Sequence, residues 1–289
     1  MSWKFAYDSP KAIQSLLDKE GLALSKKFGQ NFLISRHVRE NIVKELTLDP
    51  SMKVWEVGPG IGSLTAHLLE AGCSVTAFEI DHGFCRILSE QAFGDDENFR
   101  LLEGDALKTW EKVWKEDGTP DRICGNLPYN VGSVVIAKLL EAGCLPPKMV
   151  YTLQTEVALR LSAKPGEKAW SSFSLLAQMD YEVKSVFNIS GSSFFPEPNV
   201  SSTVITMEKR DIPLVDPALR TVFLMVVRDL FAQRRKTIKN NLLGGKTGSL
   251  VGKDGVALIL EQSGVAAGLR AEQLGWAQFI SISEAVANS

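Results

Sequence analysis

The sequence predicts an α/β fold, a largely parallel sheet flanked by helices with a smaller all-helical segment after it, and three observations carry that prediction. Short apolar runs alternate with helical periodicity from about residue 35 to 160, the rhythm of βαβ units. A glycine triplet, Gly58, Gly60 and Gly62, follows the first apolar run and opens a helix, as a ligand-binding turn does. Beyond residue 211 the periodicity stays helical and no further strand is convincing.

The elements follow in order. Residues 53–57, 74–79, 98–102, 121–125 and 148–153 read as strands, being short apolar runs set between helical stretches such as 63–71, 81–93 and 131–142. After residue 153 helices over 156–163 and 173–179 precede two strands, 181–189 and 201–208, whose close spacing predicts an antiparallel pair at the sheet edge. Residues 218–231, 236–243, 256–263 and 277–287 read as helices, so a domain boundary is placed near 211.

Composition excludes several classes. A chain of 289 residues with a hydrophobic fraction of 45% suits one large core plus a smaller domain. No run of about 18 apolar residues occurs, and Met1-Ser-Trp-Lys-Phe lacks the basic-then-apolar layout of a signal peptide; a cytoplasmic address without membrane contact is expected. Cys73, Cys85, Cys124 and Cys144 form no Cys-x-x-Cys pair and are joined by only three histidines, which argues against a metal site and for buried thiols. The net charge of −2 is unremarkable, yet from Arg228 to Lys246 six cations face one anion, Asp229. That is a local basic surface on a neutral protein. Without a heptad pattern or an exposed apolar stripe, a monomer is expected.

Asn126-Leu127-Pro128-Tyr129, at the end of the fourth predicted strand, carries the most chemistry. An exocyclic amine such as adenine N6 attacks poorly because its lone pair is delocalised into the ring. Acceptors that hold its protons draw the nitrogen toward tetrahedral geometry. The Asn126 side chain offers one acceptor and the Leu127 backbone carbonyl a second, beside Pro128, which fixes φ and adds no competing N–H. Tyr129 supplies a flat face for a base. The competing reading is a plain turn, since Asn and Pro are ordinary turn residues. Position favours the functional one, because ligands bind at the carboxyl ends of strands in open α/β sheets.

Other motifs converge on a nucleoside. Glu79 closes the second strand 21 residues after Gly58, where a carboxylate grips ribose hydroxyls; a salt bridge is the alternative. Asp105, just after the third strand, is read either as an acceptor for an adenine amino group or as a helix N-cap. Glycine loop and acids do not separate NAD from S-adenosylmethionine. The amine-binding tetrapeptide does, since hydride transfer has no use for it, and methyl transfer to nitrogen needs chiefly proximity and alignment. Residues 26–33, mixing cations, aromatics and amides, are expected to fold as a lid. Phe194 and Phe195, in a proline-stiffened loop, place an aromatic where a flipped base could stack, with core packing the better expectation for at least one of them. Arg234, Arg235, Lys236 and Lys239 fall in a stretch read as helical; a solvated charged face is the ordinary reading, and phosphate contact the one that fits a base-modifying site.

Together these motifs resemble the KsgA-type small-subunit ribosomal RNA adenine dimethyltransferases. The likeness runs from about residue 26 to 274 and keeps the family's order: Phe28-Gly-Gln-Asn-Phe-Leu33, Glu56-Val-Gly-Pro-Gly-Ile-Gly-Ser-Leu-Thr65, Glu79-Ile-Asp81, Gly104-Asp-Ala-Leu107, Asn126-Leu-Pro-Tyr-Asn130, Gln154-Thr-Glu-Val-Ala158, Phe195-Pro-Glu-Pro-Asn-Val200, Phe231 to Leu242 and Arg270-Ala-Glu-Gln-Leu274. The resemblance implies a Rossmann-like class I methyltransferase domain over residues 1–210, with a lid over about 1–50, and a helical rRNA-binding domain over 211–289. It implies S-adenosylmethionine contacts at Asn31, Leu33, Gly58, Gly60, Glu79, Asp105 and Asn126, and an amine clamp of Asn126, Leu127, Pro128 and Tyr129. The implied reaction places two methyl groups on N6 of each of two adjacent adenosines in a hairpin loop near the 3′ end of 16S rRNA, within a 30S assembly intermediate. Ser35 stands where the family more often carries Asp, and Ala271 where Pro is common. Three alternatives stay open: the related 23S rRNA adenine methyltransferase, a catalytically idle RNA-binding factor on the same fold, and a DNA adenine or protein-amide methyltransferase.

Overall fold

The computed structural model describes residues 3–23, 31–128 and 131–289. The chain divides into two compact units, Met1–Ala158 with Val183–Lys209, and Leu159–Glu182 with Arg210–Ser289. In chain order the elements are α1 (Pro10–Lys19), β1 (Phe32–Leu33), α2 (Arg36–Glu45), β2 (Lys53–Val57), α3 (Thr65–Glu70), β3 (Ser74–Glu79), α4 (His82–Ile87), β4 (Phe99–Glu103), α5 (Ala106–Asp117), β5 (Arg122–Asn126), α6 (Gly132–Ala142), β6 (Lys148–Gln154), α7 (Thr155–Ser162), α8 (Ser172–Gln178), β7 (Tyr181–Ile189), β8 (Phe194–Phe195), β9 (Ser202–Lys209), α9 (Arg220–Phe231), α10 (Ile238–Gly244), α11 (Lys246–Gln262) and α12 (Trp276–Ala287).

The first unit is built on a seven-stranded sheet of order β4-β3-β2-β5-β6-β9-β7. Its central pairs are parallel: β3 with β4, β2 with β3, β2 with β5 and β5 with β6. β9 runs antiparallel to β6, with Tyr151 opposite Ile205, and β7 lies beyond it at the edge. The sheet is apolar because its strands are buried: Val54, Val75, Ile123 and Val150 are all inaccessible. Strand order reverses between β3 and β5, on either side of β2, so a crevice opens past the carboxyl ends of β2 and β5. A short second sheet pairs β1 with β8, Phe32 opposite Phe195 and Leu33 opposite Phe194.

Caps explain several boundaries. The Ser35 hydroxyl accepts from the Val38 N–H and starts α2, so serine does here what aspartate does elsewhere. Asp81 starts α4 in the same way. The periodicity reading left α1 out; Ser9 and Pro10 begin it, and it buries Ile13, Leu16 and Leu17.

The second unit packs Trp276 against Phe223, stacked at 6.0 Å, and against Trp170, edge-on at 6.0 Å. The contact division departs from the expected boundary at residue 211, because residues 159–182 group with the C-terminal helices. Trp170, 1% exposed, donates its indole N–H to the Leu274 carbonyl, and Gln178 holds the carbonyls that end α7. The stretch around the basic cluster also differs from the expected helix. α9 ends at Phe231, Thr237 caps α10, and residues 232–237 form a turn between them. Among the described residues no helix is long and apolar enough to cross a membrane.

Candidate active site

The turn after β2 is the floor of the site. Gly58, Gly60 and Gly62 hold φ of 71°, 58° and 86°, backbone that side-chain-bearing residues rarely adopt. At Gly62 a Cβ would also lie 2.5 Å from the Phe93 ring, so the loop tolerates no larger residue there. The Gly60 N–H points at the end of β3 and donates to Glu79 Oε2 over 3.0 Å.

Glu79 is nearly buried, and its other oxygen accepts from the N–H groups of Ile80 and Asp81 at 2.8 and 2.9 Å. Burial lifts its carboxyl to about 7 against the pull of those three N–H groups. Glu56, inside β2 and 1% exposed, is likewise pushed to about 7 by burial, with Thr65 Oγ1 donating to it at 2.6 Å and the Glu79 charge adding to the rise. Two carboxyls raised to about 7 by burial thus line the cavity beside the glycine turn.

Asp105 caps α5, accepting from the Leu107 N–H at 2.9 Å, and also faces the crevice. The N-cap reading of this residue is thus seen, and its place on the crevice leaves the other reading open. At the end of β5 the Asn126 amide nitrogen donates to the Asn31 carbonyl over 2.8 Å, which makes Oδ1 the acceptor its side chain presents. Leu127 is buried and donates its N–H to the Thr152 carbonyl, while the Pro128 carbonyl takes the N–H groups that start α6.

These groups line one cavity of about 300 Å³. Every cofactor position expected from the sequence, Asn31, Leu33, Gly58, Gly60, Glu79, Asp105 and Asn126, borders it, as do Leu127 and Pro128. Its size suits a small molecule, and its walls mix apolar side chains with a few convergent polar groups. Tyr129, and residues 26–30 of the expected lid, lie outside the described residues. Among the described residues no cluster of His, Cys, Asp or Glu could hold a metal ion.

The remaining expected contacts fare differently. Phe194 is 3% exposed, paired across from Leu33 and packed in the core, so it is withdrawn as a stacking residue: its ring is covered by protein. Phe195 is partly buried against the same core. Arg234, Arg235 and Lys236 are exposed on the 232–237 turn and Lys239 is half-buried, all in the second unit. Sequence reasoning missed Glu56 as a site residue, although a carboxylate flanked by Trp55 and Val57 in a buried strand is itself a signal. It also missed Ile80, an apolar side chain left 44% exposed at the cavity mouth.

A family model described as ribosomal RNA adenine dimethylase matches residues 21–288. A ribosomal RNA small subunit methyltransferase A of Treponema denticola is 43% identical over 281 residues, covering 97% of this chain and 95% of the relative. The Streptococcus pneumoniae protein of the same name is 35% identical, covering 94% and 95%. Among solved structures, a dimethyladenosine transferase from Plasmodium falciparum superposes with TM-score 0.70 at 22% identity over 86% of this chain and 94% of that one. The 23S rRNA methyltransferase ErmE superposes with TM-score 0.64 at 24% identity over 88% and 99%. These two likenesses concern the fold, which is that of a Rossmann-like methyltransferase. With the family match running over nearly the whole length and relatives 35–43% identical over almost all of both chains, the chain belongs to the ribosomal RNA adenine dimethylase family.

Proposed function

We propose that this protein is an S-adenosylmethionine-dependent rRNA adenine N6,N6-dimethyltransferase acting on the small ribosomal subunit. The observation that carries the reading is that Asn126, the amine-binding carboxamide, borders the same cavity as Glu79 and Asp105. On this reading one cavity takes both the nucleoside donor and the acceptor amine.

The residues present suit S-adenosylmethionine. Glu79 would take the ribose hydroxyls, Asp105 the adenine amino group, and the Gly58–Gly60 backbone leaves room for close approach, with Ile80 and Leu107 as apolar walls. When bound, the donor supplies a methyl group on a cationic sulfur. The protein's part is placement. Asn126 Oδ1 and the Leu127 carbonyl accept from the N6–H groups of the target adenine, two before the first transfer and one before the second, raising the nitrogen's lone pair out of conjugation and aiming it along the line of displacement. Because Asn31 fixes the Asn126 amide nitrogen, that aim is set before substrate arrives. Tyr129 is assigned to stacking on the target base, with Phe195 as the remaining aromatic candidate of the loop pair. The exposed cations at 234–236 and Lys239 are assigned to rRNA phosphates.

Small-subunit rRNA is favoured over 23S rRNA because the full-length relatives carry small-subunit names, whereas the likeness to ErmE is one of fold. The finer target is two adjacent adenosines in the 3′ hairpin loop of 16S rRNA, within a 30S assembly intermediate, modified by a monomer in the cytoplasm. Labelled-methyl transfer to unmethylated 30S and 50S particles tests the assignment. Label in 16S rRNA as N6,N6-dimethyladenosine is expected; label confined to 23S rRNA would overturn it.

A further inference from the structure

Behind β1 and the Asn31 that precedes it lies a buried cation that the reaction itself does not require. Arg39, on α2, is 3% exposed. Its Nη1 donates to the Leu33 carbonyl over 2.9 Å, and its Nη2 to Asp8 Oδ1 over 2.5 Å. The guanidinium also lies 5.6 Å from the centre of the Tyr7 ring, whose hydroxyl accepts from the Trp3 indole. The N-terminal segment ahead of α1 is thereby joined to β1.

β1 is a wall of the cavity. Asn31, Phe32 and Leu33 all border it, the Asn31 carbonyl holds the Asn126 amide, and the Phe32 ring lies edge-on to Phe84 at 5.5 Å beside Gly60. A two-residue strand has few bonds of its own, and these are shared with β8. Beside the core packing of Phe32 and Leu33, the Arg39 Nη1 bond to the Leu33 carbonyl is thus a charge-assisted tie on this wall.

The guanidinium is costly where it sits. Its Nε is buried with no hydrogen-bond partner among the described residues, and its counter-charge, Asp8, is more than half exposed. An unbranched apolar side chain would fill the space without that cost, so packing alone does not account for arginine. We propose that Arg39, held by Asp8, is a positioning residue that sets β1, and through the Asn31 carbonyl the Asn126 amide, for donor binding. The proposal rests on the reading of the cavity as the donor site.

The test is calorimetric titration of S-adenosylmethionine into the full-length protein and its Arg39→Met, Arg39→Lys and Asp8→Asn variants, beside thermal melts. Arg39→Met is expected to weaken donor binding about three- to tenfold while the melting temperature stays within a few degrees of the parent or rises. Asp8→Asn is expected to show a smaller loss in the same direction, and Arg39→Lys to recover part of it, since one ammonium reaches the carbonyl or the carboxylate but not both in fork geometry. Should Arg39→Met fail to fold, Asp8→Asn, changed at a solvent-facing carboxylate, decides alone. Donor affinity equal to the parent in the folded variants overturns the positioning role, as does a loss that merely follows the unfolded fraction. A parent that binds no donor overturns the donor-site reading, and this proposal with it.

Discussion

Replacing Glu79 by glutamine separates the two demands on that side chain. Burial lifts its carboxyl from 4.5 to about 7 in the folded protein, a rise equivalent to about 3 kcal/mol. A folded value above the unfolded one gives stability that is complete below about pH 4.5 and is lost as pH climbs through 7, because the folded chain must then bury a charge that the unfolded chain ionises freely. Glutamine carries no charge and escapes that loss. Its oxygen can keep the bonds from Ile80 and Asp81, but its amide nitrogen then confronts the Gly60 N–H, donor against donor, at a position now bonded over 3.0 Å. That conflict costs about 1–3 kcal/mol at every pH. Glu79→Gln is therefore less stable than the parent below about pH 4.5, where the conflict stands alone, and its stability relative to the parent rises by about 2 kcal/mol between pH 5.5 and pH 8, several degrees in melting temperature, so that the order of the two proteins reverses. If Glu79 takes the ribose hydroxyls as proposed, donor binding at pH 8 falls by about 10- to 100-fold, since they lose a carboxylate acceptor. Paired melts and donor titrations across this range check both statements. Melting curves that stay parallel at every pH, or donor binding that survives the change, refute the reasoning.

Other outcomes follow from the same geometry. Asn126→Ala removes the side-chain acceptor and lowers methyl transfer to 30S particles by about 10²- to 10³-fold, with particle binding still measurable in a pull-down; retained activity would end the assigned role. Gly62→Ala forces a Cβ to 2.5 Å from Phe93 at φ 86°, a loss of about 2–4 kcal/mol in chemical denaturation. The double change Arg234→Ala with Arg235→Ala lowers the slope of log affinity for rRNA against log salt by about 1.5–2, and an unchanged slope would take those two side chains off the phosphate-binding surface.

Strand ends were legible because a period of two and a glycine turn fix where a side chain must emerge. That is how Gly58, Glu79, Asp105 and Asn126 could be named and then found around one cavity. What stayed hidden depends on partners distant in sequence. Whether Phe194 or Phe195 faces outward is set by register against β1, which the local pattern does not encode. Residues 159–182 look like a continuation of the α/β rhythm, and partners far along the chain draw them into the other unit: Trp170 meets Leu274, Arg220 pairs with Asp180 and Arg210 bonds the Gln178 carbonyl. The basic stretch has helical propensity throughout, yet Asn241 donates to the Leu230 and Gln233 carbonyls and Thr237 restarts the helix, so the cations fall on a turn. Arg39 resembles any exposed helical arginine until Asp8, 31 residues earlier in the chain, folds back on it.

The sheet's discontinuity has a consequence for how the chain emerges during synthesis. β6 is finished at Gln154, but the neighbour that covers its free edge, β9, ends at Lys209 after the polypeptide has detoured through the other unit. A nascent chain halted near residue 158 exposes an apolar strand edge to any passing β-prone segment. Any fragment meant to fold as a free-standing methyltransferase body must therefore extend to Lys209, and residues 159–182 travel with it whether or not they find their own partners.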